Sequence, residues 1–347
     1  MPNPSNLAGS FTPAWWVPGA HLQTLWGKLV RRPAEVPTRS ELWTTPDGDQ
    51  IELRRLDAGR DARGHVPRLL VLHGLEGTIR SHYLRGTLAE ASRLGWAADV
   101  LIFRGCNGVV PRARRLYHSG ETTDLDFVVR RLAAEHPDQP LLLAGFSLGG
   151  NVLLKWLGEQ GEGVPSAVRA AVAVSVPFDL ERGARRIERG FSRVYTTHFL
   201  RTLRQKALAK LAQDPGVFDP EPLRTAKTLY EFDDAVTAPL HGFASATDYY
   251  TRSSSVGFLA GIRRPTLMLS ARDDPFLPPE VLDDVALMAQ NNTDLLIEFP
   301  PNGGHVGFVG GRLPGRPIYY AERRLVEFLS AHSASSAVAS LVSNVSP

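Results

Sequence analysis

Apolar and polar positions along this chain alternate in two rhythms, and the order of those rhythms is the first thing the sequence reveals. Glu41–Thr45 and Gln50–Leu56, split by the turn Pro46-Asp47-Gly48-Asp49, read as a β-hairpin. Arg68–Leu72 is a short apolar run that ends in His73-Gly74-Leu75-Glu76-Gly77. Short β-branched or leucine-rich runs then recur at Ala97–Phe103, Leu141–Ala144, Ala170–Val176, Pro265–Ser270 and Leu295–Phe299. Between them lie stretches of helical period, about Tyr83–Leu94, Thr122–Glu135, Asn151–Gly158, Val281–Gln290 and Tyr319–Ser330. Strands that alternate with helices predict right-handed crossovers and a mostly parallel central sheet flanked by helices.

The rhythm breaks once. Glu181–Ser255 carries helical patterns and many arginines but no strand signal, so a helical cap insertion over one end of the sheet is expected. The predicted organisation is an N-terminal segment over 1–40 that packs on the core, a core over 41–180 and 256–332, the cap over 181–255, and a flexible tail over 333–347.

Composition narrows the class. The chain has 347 residues, 43% hydrophobic and 22% charged, with a formal charge of +3. So small a net charge gives no drive toward nucleic acid. A single cysteine, Cys106, rules out an intramolecular disulfide and a thiolate metal cluster. The aromatic-rich stretch from Phe11 to Val30 is interrupted by Pro13, Pro18, Gly19, His21, Gln23 and Lys28, far short of the roughly 20 apolar residues of a membrane helix. With no secretory signal pattern either, a cytoplasmic protein is expected, with peripheral membrane contact left open by the arginines.

The chemistry is concentrated in three places. Gly145-Phe146-Ser147-Leu148-Gly149 fits the G-x-S-x-G nucleophile elbow, with a buried strand before it and an apolar helix after it. A serine hydroxyl needs a base to become a nucleophile. His305, in Asn302-Gly303-Gly304-His305-Val306-Gly307 after the last strand run, stands where such a base belongs; His332 ends the last helix and is expected to face water. An acid that orients the imidazole should follow the preceding strand, where Asp273 and Asp274 compete. The acid of such folds often lies four residues before a proline, which favours Asp274 against Pro278. The backbone amides of Leu148 and Leu75 are the expected oxyanion donors. His73 reads as a loop brace, Cys106 lacks the elbow context of a nucleophile, and Phe191, Tyr195, Phe199, Leu203, Tyr230 and Phe232 are candidates for an apolar wall.

Seven blocks together resemble one family. Trp16-Val17-Pro18-Gly19-Ala20-His21-Leu22-Gln23-Thr24-Leu25, His73–Gly77, Phe103–Gly108, Tyr117–Thr122, Gly145–Asn151, Asp273–Phe276 and Gly303–Phe308 are similar to the motifs of the YheT-like α/β-hydrolases. That group includes bacterial YheT-type esterases, plant EMB8-like proteins and animal lipid hydrolases. The resemblance implies an α/β-hydrolase fold and ester hydrolysis by a Ser-Asp-His relay on Ser147, Asp274 and His305. No metal or organic cofactor is implied. The expected function is a carboxylic ester hydrolase working through an acyl-enzyme on short- to medium-chain esters, with a small-molecule ester as its partner. The rival readings are an acyltransferase with the same triad and a lipid-binding protein with a vestigial one.

Overall fold

A computed structural model describes residues 11–59 and 66–333; most of the expected tail, 334–347, lies outside the described residues. The chain opens with helix α1 (Ala20–Leu29), an element that glycine, glutamine and lysine concealed from the hydrophobic pattern. Strands β1 (Arg39–Thr44) and β2 (Gln50–Leu56) form the expected hairpin, with Thr44 opposite Gln50. Then follow β3 (Arg68–Leu72), α2 (His82–Arg93), β4 (Ala97–Ile102), α3 (Thr123–Glu135), β5 (Leu141–Phe146), α4 (Leu148–Gln160) and β6 (Val168–Val174).

After β6 the chain leaves the sheet. Helices α5 (Leu180–Ile187), α6 (Arg193–Gln213), α7 (Pro220–Thr225), α8 (Leu229–Phe232), α9 (Ala238–His241) and α10 (Ala246–Ser253) follow before the sheet resumes. A π-helical turn, Asp233–Thr237, joins α8 to α9. The last elements are β7 (Thr266–Leu269), α11 (Pro279–Ala289), β8 (Leu295–Glu298), a small hairpin of β9 (Val309–Gly310) and β10 (Ile318–Tyr319), and α12 (Tyr320–Ala331).

The main sheet has eight strands in the order β1-β2-β4-β3-β5-β6-β7-β8. Only β1 and β2 run antiparallel to their neighbours; β4 through β8 are parallel. The central strands are buried along their whole length, which explains their unbroken apolar runs. Helix α2 packs beside α12, and α3 beside α4, in the two layers that cover such a sheet. From β3 the chain crosses to β4 on one side and then to β5 on the other. The strand order therefore reverses between β3 and β5, and a crevice opens beyond their carboxyl ends.

Buried polar side chains hold the loops around that crevice. Asn151, fully buried on α4, donates to the carbonyls of Ser119 and Ser253 and accepts from Ser255 N–H. It ties the loop after β4 and the end of the helical insertion to one helix. His73 accepts from Phe103 N–H through Nε2 at 3.0 Å, so the proton sits on Nδ1, which donates to Gly74 O at 2.7 Å. The ring thus joins the ends of β3 and β4, the bracing role its sequence position suggested. Arg104 is likewise structural: its buried guanidinium is spent on Asp49 and Asp124.

Burial holds the His73 imidazole neutral and pushes its pKa down to about 4. The unfolded ring therefore takes up a proton below about pH 6.5, well before the folded ring does, and stability falls as pH drops through that window. We expect His73 to contribute roughly 1.4 kcal/mol of lost stability per pH unit between about 6 and 4. Urea unfolding at pH 4.5, 5.5 and 7 checks this, and His73→Gln should flatten the dependence.

Candidate active site

Ser147 stands at the sharp turn between β5 and α4 with φ 52° and ψ −121°. A non-glycine residue in that region stores roughly 1–3 kcal/mol of strain, which the surrounding packing must hold. The packing is close enough to exclude any side chain on either flank. A Cβ on Gly145 would lie 2.4 Å from Gly149 O, and one on Gly149 would lie 2.5 Å from His73 O. The two small residues of the elbow are thus fixed by backbone meeting backbone.

Three strand ends deliver the expected residues to one place. His305, in the loop after β8, sets Nε2 2.9 Å from Ser147 Oγ and Nδ1 2.8 Å from Asp274 Oδ2. Of the two adjacent aspartates it is Asp274, in the loop after β7, that meets the imidazole. It is buried, and its other oxygen accepts from Phe276 N–H. Asp273 turns instead to the histidine's own loop and accepts from Gly304 N–H at 2.8 Å. The Phe276 ring stacks on the His305 ring at 4.0 Å, fixing its plane from the other side.

The loop after β3 lies directly over the serine, since a Cβ on Gly74 would come within 3.1 Å of Ser147 Cβ. Gly74 N–H is taken by Tyr83 Oη and Glu76 N–H by Tyr117 Oη. No hydrogen bond of Leu75 N–H is found among the described residues, so this amide is left between two that are occupied. Leu148 is the first residue of α4, where a helix N–H has no partner within its own helix. Neither amide has a hydrogen-bond acceptor among the described residues.

One contribution was invisible in the sequence as chemistry. The inner face of α1 clamps the histidine loop: Thr24 Oγ1 accepts from His305 N–H at 2.9 Å, and the buried Gln23 both accepts from Val309 N–H and donates to Val309 O. Gly304 and Gly307 touch this helix so closely that Cβ atoms would meet Ala20 O at 2.5 Å and Gln23 O at 2.4 Å. The only available signal was the Gln23-Thr24 pair inside an aromatic segment, which carries no local indication of a partner some 280 residues away.

Above the serine is a cavity of about 140 Å³, lined by the core and by the insertion after β6. Phe199, Leu203 and Phe232 of the expected apolar set line it. The others do not. Tyr195 packs behind Phe276, Phe191 is exposed, and Tyr230 faces away beside Thr247. Lys206 of α6 reaches across to Glu76 Oε1 at 2.7 Å and Cys106 Sγ at 3.1 Å. Burial pushes the Cys106 thiol up to about 11, so it is protonated at neutral pH and is no rival nucleophile. His332 accepts no role here; it bonds to Phe328 O at the end of α12. No group of three or more metal-ligating side chains occurs among the described residues.

A serine at a strained strand–helix elbow, bonded to a histidine that is bonded to an aspartate in this chain order, defines the α/β-hydrolase class. The family profile described as alpha/beta hydrolase fold matches residues 67–311. The chain belongs to that family and, within it, to the YheT-like group: it is 38% identical to the Escherichia coli protein named "Putative esterase YheT", over 95% of this chain and 96% of that one. It is 30% identical to mouse phospholipase ABHD3, over 93% of this chain and 78% of the relative. Among solved structures, the Pyrococcus furiosus esterase PF2001 is similar in fold, with a TM-score of 0.56 and 17% identity, over 86% of this chain and 92% of that one.

The α1 clamp makes a measurable prediction. Thr24→Val leaves the part-buried His305 N–H without its acceptor and should lower stability by about 1 kcal/mol, while Thr24→Ser should restore it. Chemical denaturation of the three proteins side by side tests the expectation; equal midpoints for all three would remove the clamp.

Proposed function

We propose that this chain is a serine carboxylic ester hydrolase that acts through an acyl-enzyme on esters of short to medium acyl chain. The observation that carries the reading is the continuous hydrogen-bonded line from Ser147 Oγ through His305 to Asp274, at the floor of an apolar cavity.

The chemistry follows from the geometry. Ser147 Oγ attacks the ester carbonyl carbon as its proton passes to His305 Nε2. The carbonyl oxygen becomes an oxyanion, held by the amides of Leu75 and Leu148. Collapse expels the alcohol, which takes the proton from His305 and leaves the acyl group on Ser147. A water molecule then gives its proton to His305 and attacks the acyl carbon; collapse breaks the acyl–Oγ bond, releases the acid and returns the proton from His305 to Ser147 Oγ. Asp274 stays ionised throughout and stabilises the imidazolium. In this reading the helices between β6 and β7 act as a cap, with Phe199, Leu203 and Phe232 receiving the acyl chain.

The size of the cavity supports the chain-length assignment. At about 140 Å³ it is well below the roughly 300–1,000 Å³ of pockets that enclose drug-sized ligands. The relatives named as an esterase and a phospholipase support ester cleavage as the reaction type. Transfer to an added alcohol or thiol, in preference to water, would mark the same machinery as an acyltransferase.

Two experiments test the proposal. Ser147→Ala should lower kcat by about 10⁴-fold or more and abolish labelling by a fluorophosphonate. Asp274→Asn should cost roughly 10³–10⁴-fold, and Asp273→Asn far less. Labelling that survives in Ser147→Ala, or the reverse ranking of the aspartates, overturns the assignment of roles. On p-nitrophenyl esters, kcat/KM should rise about fourfold per methylene from acetate, then fall at long chains once the cavity is full. A rate that still climbs at palmitate would replace the esterase with a lipase.

A further inference from the structure

Helix α1 is inside out. Its buried positions are Gln23 and Gly27, whereas Leu22 and Leu29, seven residues apart and so on one face, point to solvent, Leu29 with 73% of its surface exposed. Val30 extends the exposed stripe. The polar inner face is explained by the histidine loop it clamps. The leucine face is not explained by anything the described residues place over it.

The elements on both flanks of α1 repeat the same character. On one flank, the His21 ring packs at a tilt against Phe191 at 4.7 Å and Lys28 bonds His198 at 3.0 Å, which sets the start of α6 against α1. There Phe191 and Val194 are exposed, next to the exposed Arg189 and Arg193. On the other flank, Trp26 packs on Trp16, and Trp16 and Trp15 bond the carbonyls of Gly311 and Arg312. There Trp15, 75% exposed, neighbours the exposed Leu313, with Arg312 and Arg316 beside it. Exposed apolar side chains therefore recur on three adjoining elements.

Charge says what that face meets. Residues 11–34, 189–213 and 301–321 together contain eleven lysines and arginines and no aspartate or glutamate, in a chain whose formal charge is only +3. Arg31, Lys206 and Lys210 pair inward with Glu322, Glu76 and Asp214. Lys28, Arg32, Arg189, Arg193, Arg312 and Arg316 are exposed with no carboxylate partner among the described residues. The carboxylates that border these segments are engaged or recessed: Glu35 pairs with Arg85, Glu322 with Arg31, and Glu188 is half-buried. A second copy of the chain in two-fold contact would press these cations against themselves. An anionic lipid surface instead offers apolar depth for the leucine and tryptophan side chains and negative headgroups for the cations around them.

We propose that the outer face of α1, with the exposed ends of α6 and the β9–β10 hairpin, docks this protein on anionic membrane surfaces. This needs no spanning segment, and no helix among the described residues is long and apolar enough to be one. The docking helix is also the one that holds the His305 loop, so the site stands directly behind the docked face.

Vesicle co-sedimentation tests the inference. Wild type should partition to phosphatidylcholine vesicles carrying 30% phosphatidylglycerol at least about tenfold better than to pure phosphatidylcholine, and lose most of that preference in 0.5 M NaCl. The double variant Leu22→Ser/Leu29→Ser keeps every charge and touches no group of the active site. It should bind the anionic vesicles at least about tenfold more weakly while hydrolysing a soluble ester as wild type does. Equal vesicle binding by variant and wild type, or none by wild type, overturns the proposal. So does tighter binding of duplex DNA than of vesicles at the same salt, which would assign the cations to a nucleic acid. A wild-type dimer in sedimentation that the variant dissolves would assign the face to a second copy and overturn it as well.

Discussion

Everything at the site depends on backbone approaching backbone more closely than any side chain permits. The first turn of α4 sits against the carbonyls that end β3, and the histidine loop sits against the carbonyls of α1. At such contacts there is no side chain whose rotation can absorb an error, so the strands on either side must be placed correctly before the loops can close. The cost shows in the dihedral angles. Among the described residues, the non-glycine positions with positive φ are Glu76, Ser147, Ser175, Val306 and Phe308, all beyond strand ends that face the crevice. Strain gathers where the chemistry gathers, and a fully buried parallel sheet is the rigid support that sustains it.

Much of this was legible in the sequence because it rests on local rules. A parallel strand buried on both faces writes itself as an apolar run, and the turn that follows writes itself in glycine. The eight-stranded sheet, the elbow and the histidine loop could therefore be read from short windows around Leu141, Ser147 and His305. The aspartate pair shows where local rules end. Asp273 and Asp274 are chemically the same and adjacent; the loop decides which carboxylate meets the imidazole and which meets Gly304 N–H.

What escaped the sequence is whatever depends on partners distant along the chain. Helix α1 carries no apolar stripe inward, because its fully buried positions are Gln23 and Gly27 and Gln23 bonds to a loop, so periodicity found nothing to report. Tyr195 and Tyr230 look like the cavity-lining Phe199 and Phe232 in any one-dimensional reading. Only the packing of α6 and α8 separates aromatic side chains that line the cavity from those that buttress it or turn to the outside. Neutral His73 belongs with these: its fixed tautomer follows from two backbone groups on different strands.

The bond between Thr24 and His305 joins positions 281 residues apart, so the first helix finds its binding surface only after the last strands exist. A ribosome delivers α1 early and the loop it must grip late, and closing so long a separation is slow compared with forming neighbouring βα units. The βα units around β3, β4 and β5 and the elbow join positions much closer in sequence than that pair. Until those two distant stretches meet, His305 N–H lacks its Thr24 acceptor and the histidine loop lacks the helix carbonyls it rests on.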